Sequence, residues 1–421
     1  MPAVSNSSWD RRSILRTAAG LAVAAPLAAC GGNNGRGAGG GSGPRLTQMF
    51  HAYGEAGTEQ AVKRYAAAYE KADVTTQWIT SADYESKLFA TLLTKNAPDV
   101  FEFHPQIQMV RSGQVADLSD LVDPVKDDFN PADITSHTVD GKVYGIRMID
   151  DPQFFFYRPS LFDKAGVKVP ETLDELIEAA AKLTTGEVKG VYLGNDLHAI
   201  VNPLIWSAGA DTLDAKNEIA YHTPAVVEGL KKMRKLFAGG HLLLGAPTDY
   251  WDPSSLSQGL CAIQFCGMWA MPQFQKALGD DLGVFPFPKT VDSGKPSVYN
   301  GGWSMFVNAK GDDVDAAKEY VKWLWIDRKK DQEDWATSYG FHIPPRSSIA
   351  ATATRLKSGL PAQGVKLFDE FGHFDNIGWT QAMISATWDV IADCVRKDGD
   401  PEAALDKCDR AVNRELKKLF G

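Results

Sequence analysis

Two adjacent carboxylates, Asp150 and Asp151, lie in the segment GIRMIDDPQFFFYR at 145–158. They follow one apolar run and precede three consecutive phenylalanines, which places them where one buried strand gives way to the next. The pair could perform acid–base chemistry, accept hydrogen bonds from a ligand, or lie in a solvated turn. Glycosidic cleavage needs two carboxylates about 5 to 10 Å apart across one bond, and adjacent side chains on an extended chain diverge. We therefore expect one of the two to contact a ligand, without catalysis.

The segments around these carboxylates alternate between strand and helix patterns. Strands are predicted in RLTQMFH, VTTQWIT and PDVFEFH, and helices beginning near Thr58 and Ser81 separate them. Thr172 and Glu175 have the spacing of a capping box at the start of a later helix. This βαβαβ order is typical of α/β folds in which helices flank mainly parallel sheets. A chain of 421 residues exceeds what one core usually holds, so we predict two domains.

Composition and charge exclude several partners. The chain is 44% hydrophobic and 23% charged, as in ordinary soluble proteins, and its formal net charge is −9. The segment before Cys30 carries three arginines and one aspartate, so removing it leaves −9 − 2 = −11. Phosphate contacts need clustered Lys and Arg, so we predict no nucleic-acid partner. The chain has no GxSxG, P-loop, dinucleotide or HExxH motif, so we predict no enzymatic activity, no cofactor and no metal site.

The first residues have the pattern of an export signal. WDRRSILRTAAGLAVAAPLAAC has a basic start and a short apolar middle that Pro26 interrupts. Arg11-Arg12 resembles the twin-arginine signal, and LAAC at 27–30 resembles the lipobox of bacterial lipoproteins. The resemblance implies a signal over 1–29, then a lipidated Cys30 and a Gly-rich tether over 30–45. An ordinary secretory signal or a disordered tail is the alternative.

Four further cysteines remain after Cys30. Cys394 and Cys408 lie on the apolar stripes of two consecutive predicted helices, whereas Cys261 and Cys266 lie close together in one segment. An even number of cysteines outside the cytoplasm favours disulfides. We expect a Cys394–Cys408 bridge, and buried free thiols are the alternative.

Several segments together resemble the extracellular solute-binding proteins of bacterial carbohydrate ABC importers, the maltose-binding-protein-like group. The most specific is GKVYGIRMIDDPQFFFYRPSLFDKAGVKVPETLDELIEAA at 141–180. The others are NAPDVFEF at 96–103, QGLCAIQFCGMWA at 258–270, NGGWSMFVNAK at 300–310 and GFHIPPRSSI at 340–349.

This resemblance implies two α/β lobes built from discontinuous segments, with a ligand cleft between them and closure about a hinge. The N-terminal lobe would comprise 46–150 plus 301–342, and the C-terminal lobe 151–300 plus 343–421. Asp150 and Asp151 would then lie at the first crossing between lobes. We expect a monomer, because one clamp needs no symmetry mate.

A sugar presents apolar C–H faces and a rim of hydroxyls, which aromatic rings and charged or amide side chains match. Besides the two aspartates, the candidate ligand contacts are Tyr53, Glu55, Glu102, His104, Trp206, Trp251, Trp269, Gly302, Trp303 and Arg346, with Tyr299 and Trp379 as weaker candidates. The resemblance makes stacking on Trp269 and Trp303 the first expectation. Alternatives are a core position for Trp206, helix-dipole pairing for Glu55, a surface position for His104 and an ion pair for Arg346.

The sequence thus predicts a lipid-anchored substrate-binding protein on the outer face of a bacterial cytoplasmic membrane. It would capture a carbohydrate, which we expect to be an oligosaccharide, by hinge closure and deliver it to the permease subunits of an ABC importer. A binding protein for another solute, such as a glycerophosphodiester, and a secreted glycoside hydrolase are the alternatives.

Overall fold

The strands and helices are those of a computed structural model that describes residues 43–421. In this range the strands are β1 (Arg45–His51), β2 (Asp73–Ile79), β3 (Val100–Phe103), β4 (Thr138–Val139), β5 (Lys142–Val143), β6 (Ile146–Ile149), β7 (Pro152–Tyr157), β8 (Lys189–Tyr192), β9 (Cys261–Gly267), β10 (Gly283–Phe285), β11 (Val298–Asn300), β12 (Trp303–Val307) and β13 (Gly372–Phe374).

The α-helices range from single turns to the long C-terminal helix. They are α1 (Thr58–Ala67), α2 (Ser81–Leu92), α3 (Ile107–Arg111), α4 (Ser119–Val122), α5 (Pro131–Ser136), α6 (Pro159–Ala165), α7 (Leu173–Leu183), α8 (Val201–Ser207), α9 (Pro224–Ala238), α10 (Ser254–Ser257), α11 (Met271–Leu278), α12 (Val314–Lys322), α13 (Lys329–Thr337), α14 (Ser347–Ala350), α15 (Gly359–Phe371), α16 (Gln381–Val390) and α17 (Pro401–Phe420). The predicted capping box is present, since Thr172 accepts from the Glu175 amide and Glu175 accepts from the Thr172 amide.

Two sheets form the centres of two lobes. The first sheet has the order β2-β1-β3-β12-β6, and the second has β13-β11-β7-β9-β8 with β10 also paired to β7. Both sheets are mixed, which corrects the expectation of mainly parallel sheets. The βαβ units make β1 parallel to β2 and β3, but β12 enters from the other sheet and runs antiparallel to β3 and β6.

The chain passes between the sheets beside the two aspartates. Asp150 and Asp151 join β6 of the first sheet to β7 of the second, and Gly301 and Gly302 join β11 back to β12. Ile343 pairs with Asp150 through two backbone hydrogen bonds of 2.9 Å. Gly302 has φ 84°, and a Cβ there would lie 2.2 Å from the Ile149 carbonyl oxygen. Only glycine therefore fits this crossing. The predicted lobe boundaries in the sequence stay a prediction.

The three phenylalanines after the aspartates bury both faces of β7. Phe155 packs into one apolar cluster with Phe265, whereas Phe154 and Phe156 pack into another with Phe274. This alternation follows the two-residue period of a strand. Burying one such side chain contributes about 1.5–3 kcal/mol, so β7 is a rigid start for the second lobe.

The predicted Cys394–Cys408 bridge is wrong, because both thiols are free and buried. The Tyr221 hydroxyl donates to Cys408 Sγ at 3.3 Å, and Cys394 Sγ lies 4.0 Å from the Asp400 carbonyl oxygen. The two sulfurs point at different neighbours, in keeping with their offset of about one helical turn. Burial raises the pKa of each thiol to about 11.

Cys30, the predicted export signal over 1–29 and most of the predicted tether lie outside the described residues. Within 43–421, no helix combines the length and the apolar character needed to cross a bilayer.

Candidate functional site

A cavity of about 610 Å³ lies at the crossings between the two sheets. Its walls come from the loop after β1, both strand crossings, the loop before β9 and the start of α11. The lining residues include His51, Tyr53, Glu55, His104, Asp151, Gln153, Trp251, Asp252, Trp269, Tyr299, Gly302, Trp303 and His342. A second cavity of about 240 Å³ shares Trp303 and Tyr299 with the first and extends towards Asp375 and Trp379.

The structure brings most of the predicted site residues together. Those that line the larger cavity are Tyr53, Glu55, His104, Asp151, Trp251, Trp269, Gly302 and Trp303. The weaker candidates Tyr299 and Trp379 line the smaller one. Asp150, Glu102, Trp206 and Arg346 do not reach either cavity wall.

Asp150 and Asp151 point in different directions. The Asp150 carboxylate is 1% exposed, accepts from Asn300 Nδ2 at 2.7 Å and lies 3.1 Å from Arg147 Nε. Arg147 also donates to the buried Asp133 at 2.9 Å. Burial raises the pKa of Asp150 although Arg147 opposes this. The Asp150 carboxylate is thus engaged in hydrogen bonds within the protein. Of the two aspartates, only Asp151 lines the cavity.

Asp151 is joined to Glu55 through a buried histidine. His342 Nδ1 is hydrogen-bonded to Asp151 Oδ1, and His342 Nε2 lies 3.2 Å from Glu55 Oε1. Burial acts to lower the pKa of His342, but the two carboxylates outweigh it and raise the pKa to about 10. His342 is therefore a cation at neutral pH.

Glu102 lies behind the cavity wall and holds two of its members. It is fully buried, and its carboxylate accepts from the His51 amide and from the Tyr53 hydroxyl, each at 2.6 Å. His51 Nδ1 is also 2.6 Å from the same carboxylate. Burial, together with the charge of Glu102, raises the pKa of Tyr53, so its hydroxyl stays a donor.

Four rings follow one another along this wall. Tyr53 lies 3.9 Å from His51, His51 lies 4.0 Å from Trp303, and Trp303 lies 4.4 Å from His104 between ring centroids. The angles between successive planes are 35°, 25° and 33°. Trp303 is thus part of a stack of protein rings, and its predicted stacking against a ligand stays a prediction.

The opposite wall carries two tryptophan rings. Trp251 is 49% exposed, and Trp269 is half-buried and donates from Nε1 to the Trp251 carbonyl oxygen at 3.1 Å. A Cβ at Gly267 would lie 1.7 Å from the Trp269 ring, so glycine is required for the ring to lie back over the strand end. Tyr299, between the two cavities, donates to Asp375 at 2.7 Å.

Trp206 and Arg346 contact other parts of the protein rather than the cavity. Trp206 is buried, stacks 5.7 Å behind Tyr299 and donates to Asp211 at 3.2 Å. Arg346 is 3% exposed, lies 2.9 Å from Asp128 and donates to the Ile326 carbonyl oxygen at 2.6 Å. The core alternative for Trp206 and the ion-pair alternative for Arg346 are what the structure shows.

Sequence reasoning missed several lining residues, above all His51, Gln153 and His342. His51 ends β1 and could have been found by the strand-end rule that selected Glu102 and His104. His342 gave no local signal, because its partner Asp151 is 191 residues away. Gln153 Oε1 is buried and has no hydrogen-bond partner among the described residues.

The larger cavity is acidic. Glu55, Asp151 and Asp252 line it, and no described lining residue is Lys or Arg. In the smaller cavity, Arg147 is committed to buried carboxylates.

A possible metal-ligand group lies outside the cavity walls. His222, Asp406 and Asp409 have donor atoms within 4.8 Å of one another. His222 is bonded to Asp409 at 2.6 Å and to Glu402 at 3.1 Å, which ion pairing explains without a metal.

The fold and the sequence have known relatives. The chain is 25% identical over 249 residues to the arabinooligosaccharide-binding protein of Halalkalibacterium halodurans, covering 56% of this chain and 55% of that protein. It is 28% identical over 264 residues to the diacetylchitobiose binding protein DasA of Streptomyces coelicolor, covering 58% and 60%. The chain therefore spans little more than half the length of these relatives.

A solved structure shares the fold over most of the chain. It is the GacH receptor of Streptomyces glaucescens, solved unliganded and with acarbose, with a TM-score of 0.77 and 22% identity. The match covers 89% of this chain and 99% of that chain. The family model described as bacterial extracellular solute-binding protein matches residues 52–324. The two-lobed fold, the cavity at the strand crossings and this match agree, and the chain belongs to the bacterial extracellular solute-binding protein family.

Proposed function

We propose that the protein captures a carbohydrate in the cavity between its lobes and delivers it to the permease of an ABC importer. The observation that carries the proposal is the composition of the cavity wall. The rings of Trp251 and Trp269 share one cavity with carboxylate acceptors at Glu55 and Asp151. Rings match the apolar faces of a sugar, and carboxylates accept from its hydroxyls.

Gln153 adds an acceptor to this set. Its Oε1 lacks a partner among residues 43–421, and its side chain lines the cavity. A buried polar atom without a partner costs about 1–3 kcal/mol, so a sugar hydroxyl that donated to it would recover this free energy. Tyr53, His104, Gly302 and Trp303 complete the proposed contacts on the first-sheet side.

The size and division of the space favour an oligosaccharide. The cavities of about 610 Å³ and 240 Å³ meet at Trp303 and Tyr299, so a chain of linked sugars could extend from one into the other. The relatives named for arabinooligosaccharide and diacetylchitobiose support this size class.

The alternatives have less support. A phosphodiester needs free Arg or Lys, and no described residue lining the larger cavity is either, while His342 there is paired with two carboxylates. A glycoside hydrolase needs two independent carboxyl groups, whereas Asp150 lies outside the cavity and Asp151 is joined to Glu55 through His342. We propose a binding protein without catalysis.

The wider organisation is part of the same proposal. The N-terminal lobe would be 46–150 plus 301–342 and the C-terminal lobe 151–300 plus 343–421, closing about the crossings as a monomer. Export through the signal over 1–29 and a lipid on Cys30 would hold the protein on the outer face of the membrane. The family description, extracellular solute-binding protein, supports a position outside the cytoplasm.

A thermal-shift panel tests the function. The chain from Arg45 onward, purified by unfolding and refolding to remove carried-over solute, is melted with arabinotriose, N,N′-diacetylchitobiose, maltotriose and monosaccharides. Glycerophosphocholine is the control. A ligand at one hundred times its dissociation constant adds about 2.7 kcal/mol, so a bound sugar raises the melting temperature clearly. Stabilisation by the phosphodiester alone, or consumption of the sugar, would overturn the proposal.

A further inference from the structure

We infer that His342 is a positioning residue of the cleft: with Nδ1 hydrogen-bonded to Asp151 and Nε2 beside Glu55, it holds both carboxylates in place as acceptors for the solute's hydroxyls. The inference rests on the proposed function, since it names how two acceptors of that site are oriented.

The geometry joins three separate parts of the chain. Glu55 lies in the loop after β1, Asp151 lies at the first crossing between sheets, and His342 lies in the segment between α13 and α14. All three are buried yet line the cavity, with 7%, 4% and 3% exposure. The imidazole is therefore a bridge between a loop of one lobe and the crossing itself.

The bridge needs a protonated ring. A carboxylate oxygen lies beside each ring nitrogen of His342, and carboxylates only accept hydrogen bonds, so both nitrogens are best matched to their neighbours when each carries a proton. A neutral imidazole has one N–H and would turn a lone pair towards the second carboxylate. The raised pKa, about 10, agrees with this requirement.

The surroundings hold the ring but supply no competing cation. The His342 amide donates to the Ala336 carbonyl oxygen at 2.9 Å, and Tyr53 packs against the ring edge at 6.5 Å. A Cβ at Gly340 would lie 2.9 Å from Glu55 Oε1 and 3.0 Å from His342 Nε2. The other charged groups beside Asp151 are Arg147 and Asp150, which are paired with each other.

The bridge predicts an affinity for sugar that changes little between pH 6 and 8.5, because His342 keeps its proton. His342→Gln leaves two carboxylates facing each other without the cation. Their repulsion raises the pKa of one of them, so affinity falls at least tenfold at pH 8 and recovers as the pH decreases. His342→Gln/Glu55→Gln removes the repulsion and makes the weakened affinity independent of pH again. His222→Gln, a histidine with two carboxylate partners away from the cavity, is the matched control and leaves affinity unchanged.

Two measurements test the inference. NMR of ¹⁵N-histidine-labelled protein without any solute follows the ring signals of His342. These signals are assigned because they are missing from the spectrum of His342→Gln. We expect the signals of an imidazolium up to pH 8, and titration near pH 6.5 would overturn the inference. Calorimetry then measures the affinity for the sugar that gave the largest thermal shift. If His342→Gln lost the same affinity at every pH, His342 would be a structural residue only.

The two experiments separate the inference from the proposed function. The NMR measurement needs no sugar, so it decides the charge of the bridge by itself. An imidazolium at His342 in a protein that no sugar stabilises would overturn carbohydrate binding and, with it, the role of the bridge towards hydroxyls. A neutral ring in a protein that does bind sugar would overturn only the inference.

Protonation also links His342 to stability. Its pKa is higher in the folded chain, about 10, than the value of about 6.5 in an unfolded chain. The stabilisation is fully present below pH 6.5, decreases as the pH rises and is lost above pH 10. The melting temperature of the unliganded wild type relative to His342→Gln should therefore decrease from pH 6.5 to 10.

Discussion

The two walls of the cavity are built in different ways. The first-sheet wall, formed by His51, Tyr53, His104 and Trp303, is a stack of rings fixed from behind by the buried Glu102. The second-sheet wall, formed by the exposed Trp251 and the half-buried Trp269, is joined by one hydrogen bond from a side chain to the backbone and has no buried carboxylate behind it among the described contacts of its two rings.

The two walls therefore have different roles. The first-sheet wall is held in a fixed orientation, and the second-sheet wall makes contacts that can adapt to the solute. Charge-assisted hydrogen bonds fix the first-sheet wall before any solute arrives, so little ordering remains to be done on binding. The exposed rings of the second-sheet wall can adjust to the sugar face that they cover. Mutations in the first-sheet wall should therefore alter stability and affinity together, whereas those in the second-sheet wall should alter affinity alone.

The largest effect is expected at the support of the first-sheet wall. Glu102→Gln replaces an acceptor of three hydrogen bonds by an amide that must also turn a donor towards them. We expect the free energy of unfolding to decrease by about 2 kcal/mol, measured by urea denaturation. Glu70 is exposed, so Glu70→Gln serves as the control. An equally small change in the free energy of unfolding of both variants would show that Glu102 does not support the wall.

The next largest effect is expected at Trp303. Removing this ring opens the stack between His51 and His104 and takes away a shared wall of both cavities. We expect Trp303→Ala to weaken sugar binding more than tenfold and to lower stability by at least about 1 kcal/mol. Calorimetry and denaturation on the same preparation measure both. Lost affinity at full stability would place Trp303 with the second-sheet wall instead.

Trp269→Ala sharpens the contrast between the walls. Its ring is half-buried and rests on Gly267 with one hydrogen bond to the backbone. An aromatic contact contributes about 1 kcal/mol beyond area burial, so we expect roughly fivefold weaker sugar binding and a melting temperature close to that of the wild type. A large loss of stability would contradict the proposed division.

The smallest effect is expected at Trp251. Its side chain is 49% exposed, and the hydrogen bond that Trp269 donates to it ends on its backbone carbonyl oxygen, which the substitution keeps. Trp251→Ala should weaken binding about twofold in calorimetry, with more effect on longer sugars that reach the rim. A loss larger than that of Trp269→Ala would reverse the order of the two rings.

The rule that site residues follow the ends of strands predicted much of the cavity wall. The loop after β1 contributes Tyr53 and Glu55, and the end of β3 contributes His104, because side chains at the carboxyl ends of neighbouring parallel strands meet at one edge of the sheet. Glu102, selected by the same rule, lies behind the wall instead, because its carboxylate accepts from the His51 amide and the Tyr53 hydroxyl.

The sequence by itself determined the order of the first strands and helices, the capping box at Thr172, the apolar faces of β7 and the family. These depend on periods of two and 3.6 residues and on local segments. Only the tertiary structure decided that Asp151 rather than Asp150 faces the cavity, that His342 joins it to Glu55, and that Cys394 and Cys408 stay apart. The physical reason is that a side chain's partner depends on packing between segments that are far apart in the sequence, such as Asp151 and His342, 191 residues apart, which no local pattern encodes.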